Sequence, residues 1–239
     1  MKFDDVKKLH QKKYRDEFGY FLLEGEHLVL ELQKVLATNP LLRESELYVT
    51  DVYAGWQSPL KIHLISEKQM AQIAATKTPQ GIVAVVPMLT VASPQPGERT
   101  IYLHEIQDPG NLGTILRTLA WFGNFRCLLS PNSVDPYNDK VVRASMGAIF
   151  HVPIEIDVPF ATLPSRFSRI ACLDMQGESI GGNNFKTADC YVFGNEARGV
   201  PREQLASLRC ENFTIAGGGA IESLNLASAV NICVYELSR

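Results

Sequence analysis

The chain has 239 residues, 46% of them hydrophobic and 21% charged, with a formal net charge of −3. That composition belongs to a globular protein of one large or two small domains. It excludes a strong global attraction to nucleic acid, so any such role needs a local basic patch. No apolar run reaches the roughly 18 residues of a membrane-spanning helix. The charged opening stretch, residues 1–20, lacks the apolar core of a signal peptide, and we expect a cytoplasmic protein with no membrane partner.

Cysteine usage points the same way. Cys127, Cys172, Cys190, Cys210 and Cys233 are an odd number, scattered, and form no C-x-x-C pair, so neither a disulfide framework nor a zinc site is expected. The five histidines form no H-E-x-x-H pattern, so we expect no metal.

In chain order, residues 26–37 predict a helix with Leu28, Leu32, Val35 and Leu36 on one face. Short β-rich runs follow at residues 47–50, 61–65 and 81–86, with a helix between the last two that Ser66 caps. The stretch PMLTVASPQPGERT has linker composition. It divides a domain at residues 1–90 from a linker at 91–98 and a second domain at 99–239. There the strand IYLHEI leads through a DPGN turn into a helix over residues 111–122, with leucines and Ile115 at helical spacing. RCLLS, HVPIEI, RIACLD, CYVFG and FTIAG read as further strands, DKVVRASMGA as a helix, and residues 223–237 as a largely buried helix, apolar almost all round. Strands alternating with helices predict an α/β fold, a mostly parallel sheet with helices on both faces.

A dinucleotide fold would need G-x-G-x-x-G after the first strand, and a P-loop would need G-x-x-x-x-G-K-[ST]; neither is present. Glycines gather late instead, at Gly194, Gly199 and the run Gly217, Gly218, Gly219, each just after a short apolar strand. Ligands of parallel α/β sheets bind beyond the carboxyl ends of strands, so a site is expected near the C-terminus.

Three segments carry a more specific signal: DPGNLGTILRTLAWFG (residues 108–123), VFGNEARGVP (192–201) and TIAGGGAIESLNLASAVNICVYE (214–236). Together they resemble motifs 1, 2 and 3 of the SpoU/TrmH branch of the SPOUT RNA 2′-O-ribose methyltransferases, over roughly the last 140 residues. The first 90, through KKYRDEFGYFLLEGEHLV, resemble that family's L30e-like substrate-binding domain. The resemblance implies a C-terminal trefoil knot, a homodimer, S-adenosyl-L-methionine as cofactor, and transfer of its methyl group to a ribose 2′-hydroxyl.

Motif 1 then supplies Asn111, which also suits a helix N-cap, and Arg117 on the face opposite the leucines. A lone exposed arginine ordinarily only solvates a surface. The family casts this one as activating the hydroxyl or binding the adjacent phosphate. Its high pKa makes it a poor base, and we expect it to orient phosphate and stabilise a developing alkoxide. Motif 2 supplies Gly194, Asn195, Glu196 and Gly199; the resemblance gives Glu196 to the substrate site and possible contact with Arg117. Motif 3 supplies Ile215, Ala216, Gly219, Ser223, Leu224 and Asn225. Of these, Ser223 and Asn225 are expected in the reacting centre, with Ile215 and Leu224 packed around adenine. Two positions depart from the family pattern, Ala197 for glycine and Ala216 for proline. Phosphate contacts are expected from Lys12, Lys13, Arg15, Lys140 and Arg143. Ribosomal RNA is the expected substrate, with transfer RNA, or a non-catalytic RNA-binding relative, as alternatives.

Overall fold

The computed structural model describes residues 1–200, 210–220 and 223–239. Pro201 of the second segment, and Ile221 and Glu222 of the third, lie outside the described residues. Contacts divide the chain into two compact units. One holds Met1–Thr90 together with Asp135–Phe150, the other Val91–Val134 together with His151–Arg239.

The first unit is built on a four-stranded sheet of β1 (Tyr20–Glu24), β2 (Glu46–Val49), β3 (Lys61–Leu64) and β4 (Ile82–Pro87), in the order β1-β4-β2-β3. Strand β4 is antiparallel to both neighbours, while β2 and β3 run parallel. All six residues of β4 are buried, as its central place requires. Helix Glu67–Ile73 starts at a capping box in which Ser66 and Gln69 satisfy each other's backbone N–H. Its Met70 and Ile73 join Val6, Leu9, Leu22, Tyr48, Val83 and Val85 in one core. Strand β1 has no counterpart in the sequence reading. Gly19, left-handed, stops the helix Lys12–Phe18, and the five residues YFLLE then pair with β4.

This unit also includes helix Asp139–Ser145, from the half of the sequence that carries the motifs. Phe21 and Tyr137 place their rings 4.9 Å apart. Arg15 is 4% exposed and binds Asp135 through Nε and Nη2, at 3.0 and 2.5 Å, while Nη1 donates to the carbonyls of Leu9 and His10. The guanidinium is thus consumed inside the fold, which corrects the expectation of Arg15 as a surface phosphate ligand.

The second unit is a six-stranded sheet of β5 (Arg99–Leu103), β6 (Phe125–Leu129), β7 (Ile154–Glu155), β8 (Ile170–Ser179), β9 (Cys190–Phe193) and β10 (Cys210–Thr214). The order is β10-β8-β9-β5-β6-β7, and every pairing is parallel. β6 and β9 are buried along their whole length, and β5 along all but its first residue, as expected for a sheet covered on both faces. Between β8 and β10 the register jumps from Cys172↔Asn212 to Glu178↔Phe213, so residues 173–177 bulge out at the carboxyl end of β8. Arg126 is 2% exposed and held by Glu98, Glu155 and the Ala92 carbonyl. All five cysteines are free thiols; burial pushes Cys127 up to about 12.

Helix Leu226–Leu237 sets Leu226, Val230, Cys233, Val234 and Leu237 inward. It is not buried all round: Ile232 and Tyr235 are exposed, the latter 55%. It packs on helix Pro109–Phe122, where Thr118 Oγ1 donates to Asn231 Oδ1 at 2.7 Å and the rings of Phe122 and Tyr235 meet at 6.3 Å.

Candidate active site

Because all strands of the second sheet are parallel, the chain leaves each of them at the same edge. Motif 1 follows β5, motif 2 follows β9 and motif 3 follows β10, so three segments far apart in sequence emerge beside one another.

Helix Pro109–Phe122 is capped by Asp108, whose Oδ1 accepts the Asn111 N–H at 2.7 Å, with Pro109 in the first turn. Asn111 is therefore not the cap expected from the sequence. Its side chain is left free to bond elsewhere, and it becomes the centre of the site. Asn111 Nδ2 donates to Glu196 Oε1 at 3.3 Å, and Asn111 Oδ1 accepts from Asn225 Nδ2 at 2.9 Å. One amide thus bridges all three motifs. Asn225 is itself the N-cap of the C-terminal helix, its Oδ1 accepting the Ser228 N–H.

Glu196 also accepts the backbone N–H groups of Gln107 and Asp108, at 3.3 and 3.4 Å. Three of its roughly four acceptor sites are then occupied, which suits it to fixing two loops together. Arg117 is exposed and, among the described residues, makes no ion pair or hydrogen bond; the contact with Glu196 that the resemblance left possible is not formed.

The motif 2 turn is tight. Asn195 and Gly199 exchange backbone hydrogen bonds of 2.9 and 2.8 Å, and buried Asn195 accepts the N–H groups of Ala197 and Arg198 on Oδ1. A Cβ on Gly194 would stand 2.2 Å from the Gly199 carbonyl carbon, so no other residue fits there without opening the turn. Two contacts in this turn were not read from the sequence. Asn195 Nδ2 donates to the Glu105 carbonyl at 2.7 Å, and Arg198 pairs with the Glu105 carboxylate. The ARG of motif 2 was the only available signal, and its partner lies outside every motif.

In motif 3, Ile215 is partly exposed, and Ala216, Gly219, Ser223 and Leu224 are exposed. Leu224, 46% exposed, stands next to the N-cap of the C-terminal helix. Exposed apolar groups, bare glycine backbone and the N-terminus of a helix suit a nucleoside with a charged amino-acid tail. The residues present therefore fit S-adenosylmethionine.

Of the candidate RNA cations, Lys12 bonds Asp16 at 2.8 Å, and Arg143 pairs with Asp139 at 3.2 Å and lies 3.9 Å from Glu24. Lys13 sits 5.5 Å over the Tyr14 ring, and Lys140 is exposed. All belong to the first unit.

A fully parallel α/β sheet with three glycine-bearing loops joined at its carboxyl edge defines a ligand-binding α/β enzyme fold. Profile comparison is specific: the "SpoU rRNA Methylase family" matches residues 98–235, and the "MRM3-like substrate binding domain" matches residues 2–84. The chain belongs to the SpoU rRNA methylase family. It is 32% identical to the 23S rRNA (guanosine(2553)-2′-O)-methyltransferase RlmP of Bacillus subtilis, over 99% of this chain and 95% of that one. Its fold matches the AdoMet-bound rRNA methyltransferase of Sinorhizobium meliloti with a TM-score of 0.82 at 27% identity, covering 98% and 93% of the two chains. The methyltransferase AviRb of Streptomyces viridochromogenes shares the fold at a TM-score of 0.81 and 19% identity, over 99% and 96%.

Proposed function

We propose that this protein transfers a methyl group from S-adenosylmethionine to a ribose 2′-hydroxyl of ribosomal RNA, with a guanosine of the large-subunit RNA as the target. The observation that carries this is the Asn111 bridge, which joins Glu196 and Asn225 at the carboxyl edge of the sheet. The relative from Bacillus subtilis supports the choice of RNA.

Gly194, Asn195, Gly199, Ile215, Ala216, Gly219 and Leu224 would hold the cofactor, which supplies an electrophilic methyl on a sulfonium. The 2′-oxygen would take that methyl, with the C–S electron pair left on sulfur and the hydroxyl proton lost to solvent. Arg117, with no ion pair or hydrogen bond among the described residues, is available to grip the adjacent phosphate and to stabilise the oxyanion as the proton leaves. Asn111, Ser223 and Asn225 orient the reacting centre, and Glu196 locks the two loops that carry it.

The first unit grips RNA, with Lys13 and Lys140 the most available cations and Lys12 and Arg143 exchanging their local carboxylates for phosphate. The C-terminal segment forms a trefoil knot. Trp121, which is 85% exposed, forms with Phe122, Ile232 and Tyr235 the apolar surface of a homodimer. The likeness to a bacterial methyltransferase of ribosomal RNA supports the cytoplasm as its location.

The test is transfer of labelled methyl from S-adenosylmethionine to ribosomal RNA, followed by alkaline digestion, which does not cleave beside a 2′-O-methyl group. Label in alkali-resistant dinucleotides, lost with Arg117→Ala, is the expected result. Label in mononucleotides would mean base methylation and overturn the assignment.

A further inference from the structure

Glu105 lies between β5 and motif 1, in none of the three motifs, and adopts φ +48. A side chain in this left-handed region is strained where glycine would be at ease. Such a residue persists only when its surroundings hold it there. Here its N–H donates to Ser130 Oγ at 2.7 Å, and its carbonyl accepts from Asn195 Nδ2 at 2.7 Å and Gln107 Nε2 at 3.1 Å. Its carboxylate pairs with Arg198.

The two loops are therefore cross-linked in both directions. Glu196 reaches from the motif 2 turn to the backbone of Gln107 and Asp108, and Glu105 reaches from the β5 loop to Arg198 at the other end of that turn. Only Ala197 lies between these anchors, and the Asn195–Gly199 backbone bridge closes the turn around them. Glu196 and the Asn195 amide on the Glu105 carbonyl hold the start of the turn; the Arg198–Glu105 pair ties down its far end.

We propose that Glu105 and Arg198 are positioning residues that preset the motif 2 turn for the cofactor and so set cofactor affinity rather than the rate of methyl transfer. This rests on the S-adenosylmethionine reading of the site. Arg198 is mostly exposed and Glu105 half-buried, so the effect is moderate and sensitive to salt.

The test measures direct S-adenosylmethionine binding by calorimetry, methyl-transfer kinetics on ribosomal RNA, and thermal unfolding. The proteins are the wild type, Glu105→Gln, Glu105→Gly, Arg198→Met and the Glu105→Gln/Arg198→Met double variant. Each single variant is expected to bind cofactor about two- to fivefold more weakly, with kcat at saturating cofactor within about twofold. The double variant should be no worse than either single one, because both remove the same contact. Glu105→Gly separates positioning from mere structure. It relieves the backbone strain, so its unfolding temperature should not fall below that of Glu105→Gln, yet its cofactor binding should weaken equally. Wild-type binding at high salt should approach that of the variants. A wild type that binds no S-adenosylmethionine would sink the reading of the site itself. A wild type that binds, beside variants that bind equally well or lose only kcat, would overturn the clamp and leave that reading standing.

Discussion

Asn111→Asp is the sharpest probe of the site, because it keeps the shape of the side chain and inverts one of its two contacts. The Oδ1 that accepts from Asn225 survives, but the Nδ2 that donates to Glu196 becomes an oxygen, leaving two carboxylates 3.3 Å apart. Their repulsion at that separation is about 1 kcal/mol under full water screening and about 5 kcal/mol at the effective dielectric of a protein surface. The lost hydrogen bond adds about 1 kcal/mol. A net penalty of about 2–6 kcal/mol against the assembled site corresponds to a fall in kcat/KM of about thirtyfold to more than ten-thousandfold. Asn111→Ala loses both bonds but gains no repulsion, so its defect should be smaller, about 1–2 kcal/mol. Methyl transfer to ribosomal RNA, assayed for both variants at low and at about 0.5 M salt, separates the two effects, since salt screens only the repulsion. An Asp variant more active than the Ala variant, or one whose relative defect does not shrink with salt, would refute the bridge.

Gly194→Ala should abolish S-adenosylmethionine binding by calorimetry while leaving the fold largely intact, because a Cβ 2.2 Å from the Gly199 carbonyl carbon must open the turn. Arg126→Met removes the partner of buried Glu98 and should destabilise the protein by about 3–5 kcal/mol in denaturant unfolding. Burial opposes ionisation of Glu155, but hydrogen bonds and charge from Arg166 and Arg126 outweigh it and hold its carboxyl below the usual range. Its stabilising contribution is therefore complete above the unfolded value of 4.5 and is lost as pH falls through the lower folded value. Unfolding temperatures measured across that acid range should converge for wild type and Glu155→Gln; a gap that persists at the lowest pH would contradict the assignment.

The parallel α/β sheet and the ends of its loops were legible in the sequence because buried parallel strands appear as short apolar runs and their ligand loops carry glycine. What was misread came from partners distant in sequence. DPGN offers two capping residues, and only the proline in the first turn favours Asp108 over Asn111. Arg15 looked like one more cation of a basic segment, since Asp135, its partner, lies 120 residues away. The C-terminal helix is apolar on nearly every side, and composition alone does not separate a face turned to the core from one left for another surface. Strand β1 is a five-residue run squeezed between helices, with too few alternations to register. Glu105 stands outside every motif, and only its left-handed backbone and its contacts draw it into the site.

The interleaving of the two units has a consequence for the order in which the protein can mature on the ribosome. The first unit recruits Asp135–Phe150, so it stays incomplete long after its own 90 residues have been made. The bridge from Asn111 to Glu196 and Asn225 closes only when Asn225 has emerged, 114 residues after Asn111. The first unit therefore cannot close before Phe150 has been made, nor the bridged site before Asn225.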